Sequence, residues 1–167
     1  MGDESLFRAP AATVRVRVEA RKGDDMTTRV DTHDTIRSLP EEECLALLGA
    51  AAVGRVGFVS GEGVEIIPVG YRLGLGPRLF VMTQPWGILG QLAECGARCS
   101  FEVDHHGSTS RSGWSVLMRG TLSRLDRSGT AAYSELTRSL SAWPGYPDAR
   151  PVQFVPASYA GRSVQAA

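Results

Sequence analysis

Residues 99–120 constrain the fold of this chain more than any other stretch, because they have the pattern of a β-hairpin. Two apolar, strand-like runs at 99–103 and 114–118 flank a polar segment rich in Gly and Ser. These residue types are common in turns, since Gly adopts backbone angles that other residues avoid and Ser bonds to nearby backbone groups. The stretch therefore predicts antiparallel β structure in this part of the chain.

Apolar runs separated by turn residues recur along most of the remaining sequence. Gly61 and Gly63 mark one turn, and Gly74, Gly76 and Pro77 mark the next. We predict six strands in all, at 53–60, 64–73, 79–83, 97–103, 113–125 and 152–155. Several of the segments between these strands are as short as the loops of β-hairpins, which is typical of antiparallel sheets.

Three segments have helical patterns. Ser38 and Glu41 have the spacing of a capping box, which predicts a helix that begins near Ser38 and ends near Gly49. Residues 85–95 carry an apolar face, and 128–140 form the third predicted helix. The fold class is therefore mostly β (α+β), a six-stranded antiparallel barrel with two to three covering helices. A sandwich and an open α+β sheet are the alternatives.

Composition narrows the class of protein. The chain has 167 residues, 43% hydrophobic and 22% charged, which is typical of a globular domain with a real core. Its 18 basic and 18 acidic residues cancel, so we expect no nucleic-acid partner. The longest apolar run, 45–53, is too short to span a bilayer, so we expect no membrane partner. Three cysteines without a CxxC pair favour reduced thiols and a cytoplasmic location.

The first 34 residues differ from the rest in being rich in Asp, Arg and Thr. The alternating run 14–18 has the pattern of an edge strand. The segment is also compatible with upstream sequence, because Met26 is a plausible second start. We expect residues 1–34 to be a disordered arm and residues 35–167 to be the folded domain.

An ordered series of short motifs runs through the predicted strands. It consists of Gly54-Arg55-Val56, Pro68-Val69-Gly70-Tyr71, Phe80-Val81-Met82-Thr83, Phe101-Glu102-Val103-Asp104, Gly113-Trp114-Ser115-Val116, Phe154-Val155-Pro156 and Gly161-Arg162. Over about residues 38–164, this series resembles the pyridoxamine 5′-phosphate oxidase-like flavin-binding split β-barrels, especially the short actinobacterial members. Each motif alone is weak evidence for the family, and the resemblance depends on the order in which the motifs occur.

The resemblance implies a homodimer with flavin mononucleotide (FMN) bound in clefts between the subunits, and a small-molecule substrate. It implies chemistry carried by the cofactor, so no catalytic side chain is assigned. The cofactor site that it implies consists of Pro68, Val69, Tyr71, Arg72, Thr83, Trp86, Ile88 and Trp114. Tyr71 and Arg72 are neighbours on one strand, so at most one of them faces the cleft.

The chain departs from the family pattern after Thr83. Members of the family commonly open the following helix with a Lys or Arg that binds the phosphate, whereas this chain has Ile88 at that position. A buried dianion requires charge-assisted donors. Arg72 and the backbone amides near Pro85 are the available replacements, and Trp86 with Ile88 would alternatively line a pocket for a hydrophobic ligand.

A second group of polar residues invites a metal or haem hypothesis. Glu102, Asp104, His105 and His106 are close in sequence, but adjacent residues on a strand point to opposite faces. No second ligand set stands at a metal-like spacing, so we predict no metal site. A haem ligand would come from His33, His105 or His106.

Three functional hypotheses follow. The first is an FMN-dependent oxidoreductase, in which Trp114 and Tyr71 frame the flavin ring and Arg72 binds the phosphate. The second is a barrel without flavin that binds a hydrophobic metabolite or catalyses a non-redox step such as a cyclisation, and a deazaflavin cofactor lies between these two. The third is a binding or regulatory module, supported only by the basic and apolar run 14–18.

Overall fold

The computed structural model describes residues 35–74, 76–107, 112–125 and 148–165. Three predicted features lie outside the described residues: the arm 1–34 with its run 14–18 and His33, the helix 128–140, and the Pro- and Gly-rich connection 144–147. The elements are β1 (Thr35–Leu39), α1 (Glu41–Ala50), β2 (Val53–Ser60), β3 (Gly63–Leu73), β4 (Leu79–Thr83), α2 (Ile88–Glu94), β5 (Arg98–His106), β6 (Gly113–Arg124) and β7 (Arg150–Gln165).

Six strands close into a ring. Their order is β7-β4-β3-β2-β5-β6, and pairing of β6 with β7 completes the circuit. Every pairing is antiparallel, so the predicted six-stranded antiparallel barrel is confirmed. A seventh strand, β1, was not predicted. It pairs with the end of β7, outside the ring.

Helix α1 begins three residues later than predicted. Ser38 pairs with Arg162 in the β1–β7 ladder, which holds it in an extended conformation. Pro40 is the N-cap residue and no side chain caps the helix, so the capping-box prediction is wrong. The three acidic residues of the first turn, Glu41, Glu42 and Glu43, still complement the helix dipole.

The last strand is much longer than predicted. The sequence predicted a strand only at 152–155, whereas β7 spans 16 residues. A register shift opposite Arg119 and Gly120 leaves Ala157 unpaired, which is the geometry of a β-bulge. Proline lacks the backbone donor of a regular ladder, and the bulge accommodates it. A side chain at Gly120 would collide with the Val155 carbonyl oxygen, so a glycine is required there.

The barrel interior forms the core. Phe101 is fully buried, and its ring lies 5.4 Å, centroid to centroid, from the rings of Tyr71 and Phe154. Each fully buried side chain of this size stabilises the fold by about 1.5–3 kcal/mol. Helix α1 buries Cys44 and Leu48 against this core. No helix among the described residues has the length and apolarity to cross a membrane.

Candidate functional site

The outer surface of the sheet carries an unusually apolar region on β2 and β3. Side chains on these strands alternate between the core and the outside, as expected for a barrel. Val59, Val64 and Ile66 point outward and are 75%, 76% and 65% exposed. Val59 pairs with Val64 across the two strands, so these side chains form one continuous patch. We call the outward-facing residues of β2, β3 and β5 the outer face.

Charged groups adjoin this patch. Arg55 on β2 pairs with Glu102 on β5 in the sheet register. Its Nη1 atom donates to Glu102 Oε2 at 2.8 Å and to Asp104 Oδ1 at 2.5 Å. Asp104 Oδ2 lies 3.4 Å from His106 Nε2. The hydrogen bond from Arg55 lowers the pKa of Asp104 below its usual value. The charge of Arg55 is therefore balanced by two neighbouring carboxylates.

Tyr71 and Arg72 lie on opposite faces of β3. Tyr71 is 1% exposed, and its hydroxyl donates to the Leu48 carbonyl oxygen at 2.7 Å. Burial raises the pKa of Tyr71 to about 12. Arg72 is exposed, and its only polar contact among the described residues is a 3.3 Å hydrogen bond to the Tyr71 carbonyl oxygen. Of the two, Arg72 is the side chain available to a ligand on the surface.

Pro68 and Val69 show the same alternation. Pro68 is exposed, pairs with Arg55, and lies on the outer face together with Arg72. Val69 is 8% exposed and packs in the core with Tyr71. On β3, Pro68 and Arg72 are thus exposed on the outer face, whereas Val69 and Tyr71 are buried in the core.

The connection from β4 to α2 presents apolar side chains to solvent. Thr83 ends β4 and is half-buried, and its hydroxyl lies 3.4 Å from the Gln84 carbonyl oxygen. The predicted helix start at residue 85 is wrong, because residues 85–87 form a turn and α2 begins at Ile88. Trp86 is 59% exposed and Ile88 is 41% exposed. No basic residue occurs between positions 84 and 94.

Trp114 lies at the start of β6, on a strand that pairs with neither β3 nor β4. It is half-buried against the core and pairs with His105. The two rings are stacked, with centroids 6.2 Å apart and planes inclined by 30°. Strand pairing within this chain therefore does not place Trp114 beside Arg72.

The ion pairs of Arg55 were missed by sequence reasoning. Glu102 and Asp104 are two residues apart, so their common face was predictable. That Arg55 reaches both of them depends on the pairing of β2 with β5, which no local pattern indicates. Among the described residues, no group of three or more His, Cys, Asp or Glu side chains is arranged to hold a metal ion.

The exposed side chains described above can be compared with the groups that a flavin nucleotide requires from its binding site. Apolar groups suited to a planar ring are exposed on the outer face and at Trp86. A phosphate requires charge-assisted donors, and Arg72 supplies one. Because residue 88 is an isoleucine, the first turn of α2 has no cationic side chain that could supply a second such donor. One lost hydrogen bond to a charged group costs about 1.5–3 kcal/mol, or about ten- to a hundredfold in affinity. The exposed apolar residues therefore suit a flavin ring, and one arginine, Arg72, is available to bind the phosphate.

Comparison with known proteins assigns the family. The family model described as "Pyridoxamine 5′-phosphate oxidase" matches residues 40–163. No protein with a curated functional description matches the chain.

Solved structures support the fold. A flavin adenine dinucleotide (FAD)-binding protein from Mesorhizobium loti has 21% identity and a TM-score of 0.66, over 80% of this chain and 99% of that protein. An FAD-binding protein from Mycobacterium smegmatis has 22% identity and a TM-score of 0.59, over 77% and 98%. A Corynebacterium glutamicum protein, provisionally described as a pyridoxamine 5′-phosphate oxidase, has 24% identity and a TM-score of 0.63, over 79% and 95%. These structures show that the chain has the same fold, and the match of the family model over residues 40–163 shows that it belongs to the pyridoxamine 5′-phosphate oxidase family.

Proposed function

We propose that this chain is a flavin-dependent oxidoreductase that works as a cytoplasmic homodimer on a small organic substrate. Family membership supports this proposal, as do two similar structures named for binding FAD. The observation that carries it is Arg72, an exposed cation on the outer face that forms no ion pair within the described part of the chain. Arg55, on the neighbouring strand, is neutralised instead.

Each residue of the proposed site has a different task. Arg72 binds the phosphate of the cofactor, and Tyr71 holds the strand against the core so that Arg72 points outward. Trp114 of the partner subunit packs against the ring system, because no strand pairing brings this subunit's own Trp114 to Arg72. A bound flavin supplies two-electron chemistry, so the protein needs no side-chain nucleophile. FMN is the proposed form of the cofactor.

The alternative function is a barrel that binds a hydrophobic metabolite, or acts on one without redox chemistry. The specific observation in its favour is the exposure of Trp86 and Ile88 where a phosphate-binding cation is expected. A deazaflavin is an intermediate case, since it has the same ring shape with a different tail.

A visible spectrum of the purified protein, with mass spectrometry of any released chromophore, separates these functions. Oxidised-flavin bands and a released chromophore with the mass of FMN support the proposal. A chromophore with the mass of FAD or of a deazaflavin would show that this cofactor takes the place of FMN, and the redox function would stand. A Soret band would indicate haem. A colourless protein that also fails to bind added flavin at micromolar concentration would overturn the proposal in favour of the alternative.

Three variants test the phosphate site by flavin titration. Arg72→Ala is expected to weaken flavin binding by about ten- to a hundredfold, because it removes a charge-assisted hydrogen bond. Arg78→Ala is the matched control, since Arg78 is exposed beyond the end of β3 and donates only to Gln153 at 3.4 Å among the described residues. Ile88→Lys restores a cation and is expected to tighten binding by about tenfold or more. Equal effects of Arg72→Ala and Arg78→Ala would remove Arg72 from the site.

A further inference from the structure

Arg150, the first residue of β7, is an exposed cation to which the proposed site gives no role. It forms no hydrogen bond and no ion pair within the described part of the chain. Asp148 is the nearest carboxylate along the sequence, and it is exposed and does not pair with Arg150. The described residues therefore leave the charge of Arg150 unbalanced.

The sheet register places Arg150 beside Thr83. The two residues are directly opposite each other in the ladder of β4 and β7. Directly opposed residues of an antiparallel pair carry their side chains on the same face, with Cβ atoms about 5 Å apart. The guanidinium group of Arg150 and the hydroxyl group of Thr83 are therefore close enough to contact one ligand.

The Thr83 hydroxyl is open on the side of the β4–α2 connection. Its hydrogen bond to the Gln84 carbonyl oxygen is long, at 3.4 Å, so the hydroxyl is weakly held. A Cβ atom built on Gly87, the N-cap residue of α2, would be 3.6 Å from Thr83 Oγ1. Because glycine has no side chain, the space beside this oxygen is free. Thr83 is half-buried, so a ligand can reach it from solvent.

A phosphate ester requires more positive charge than Arg72 supplies. Such a group carries close to two negative charges near neutral pH. Arg72 pairs with Phe80, three residues or about 10 Å along β4 from Thr83, and residues 84–94 include no Lys or Arg. Besides Arg72, Arg150 is the only arginine among the described residues that pairs with a residue of β4. It is therefore the cation best placed to serve the end of this strand.

We propose that Arg150 and Thr83 bind the phosphate group of a phosphate ester at the junction of β4 and α2, with Arg150 as the second cationic donor beside Arg72. This inference rests on the proposed function, in which the ester is the flavin cofactor, and it assigns a binding role to β7. The planar fork of an arginine matches two phosphate oxygens, and the Thr83 hydroxyl adds a neutral donor. Trp86 and Ile88, exposed in the same connection, are then available to the apolar part of the ligand.

Titration of the full chain with flavins, followed by quenching of flavin fluorescence, tests Arg150. Arg150→Ala is expected to weaken FMN binding by about ten- to a hundredfold and to leave the binding of riboflavin, which lacks the phosphate, unchanged. Arg98→Ala is the matched control, because Arg98 is also exposed, begins a strand, forms no ion pair among the described residues and lies opposite a threonine, Thr121. Equal FMN affinities of the two variants, or equal losses for FMN and riboflavin, would overturn the inference.

Two lysine variants separate binding of the phosphate from a structural role of Arg150. Arg150→Lys keeps the charge and loses the fork, so we expect an FMN affinity between those of the wild type and Arg150→Ala. Ile88→Lys, added to Arg150→Ala, places a new cation one residue after Gly87 and is expected to recover about tenfold in affinity. Circular dichroism verifies that each variant is folded. If neither lysine recovers affinity, Arg150 has a structural role and the inference is wrong.

The hydroxyl of Thr83 is tested by a change that keeps the shape of the side chain. Thr83→Val removes the oxygen and is expected to weaken FMN binding by about two- to tenfold, as one neutral hydrogen bond is lost. Riboflavin again serves as the reference ligand without a phosphate. A Thr83→Val variant that binds FMN as tightly as the wild type would remove Thr83 from the site.

Inorganic phosphate separates this inference from the proposed function. We compare the Tm of the wild type and of Arg150→Ala in millimolar phosphate and in chloride of equal ionic strength, since a ligand of the folded state raises Tm. A wild type that binds no flavin, yet is stabilised by phosphate only when Arg150 is present, would refute flavin chemistry and keep the site. Tight FMN binding by both proteins would refute the site and keep the flavin, and a wild type that binds neither ligand would overturn both.

Discussion

Replacing Tyr71 with phenylalanine removes a single oxygen atom that connects α1 to β3. The Tyr71 hydroxyl donates to the Leu48 carbonyl oxygen at 2.7 Å, and both side chains are about 1% exposed. Leu48 lies in the last turn of α1, where backbone carbonyls have no partner within the helix. Tyr71 therefore satisfies an acceptor that would otherwise be buried and unpaired.

The expected cost of Tyr71→Phe follows from this geometry. Leaving a buried acceptor unpaired costs about 1–3 kcal/mol, more than the net value of a typical hydrogen bond. A loss of about 2 kcal/mol corresponds to a fall of about 4–8 °C in Tm for a domain of this size. Thermal unfolding followed by circular dichroism, together with urea unfolding, measures both quantities.

Tyr159 provides a matched control. Its hydroxyl is buried and has no hydrogen-bond partner among the residues that the structure describes. Tyr159→Phe removes the same atom without breaking a bond, so we expect an unchanged or higher Tm. The reasoning is refuted if Tyr71→Phe unfolds at the wild-type temperature, or if Tyr159→Phe loses as much stability as Tyr71→Phe.

Three further predictions concern the core and the thiols. Gly54→Ala would place a methyl group against the Phe101 ring, so we expect a loss of about 1–3 kcal/mol in urea unfolding, and an unchanged midpoint would contradict the packing described. Burial raises the pKa of Cys99 from 9.0 to about 11, so the thiol contributes stability that is complete below pH 9 and is lost as pH rises through 11. Urea unfolding at a series of pH values should show this fall, and Cys99→Ala should flatten it. In the native protein a thiol reagent should label Cys95 faster than Cys44 or Cys99, because only Cys95 is exposed, and equal rates would refute the assigned burial.

Strand positions were largely predictable because the signals are local. The sequence placed the second strand at 64–73, and the structure has it at Gly63–Leu73, because alternating apolar residues and flanking glycines act within a few positions. Strand β1 and most of β7 were missed. Both depend on a partner far along the chain, since Ser38 is extended by pairing with Arg162, and the bulge near Pro156 forms only against β6.

For the candidate site, the two-residue period of a strand by itself determined that Tyr71 and Arg72 face opposite sides. Only the tertiary structure decided which of them is buried, because the Leu48 carbonyl on α1 accepts the Tyr71 hydroxyl. It likewise decided that Arg55 is neutralised, by bringing it to Glu102, 47 residues away. Period and turn chemistry are properties of neighbouring residues, whereas the free or paired state of an arginine depends on which strands the closed barrel brings together.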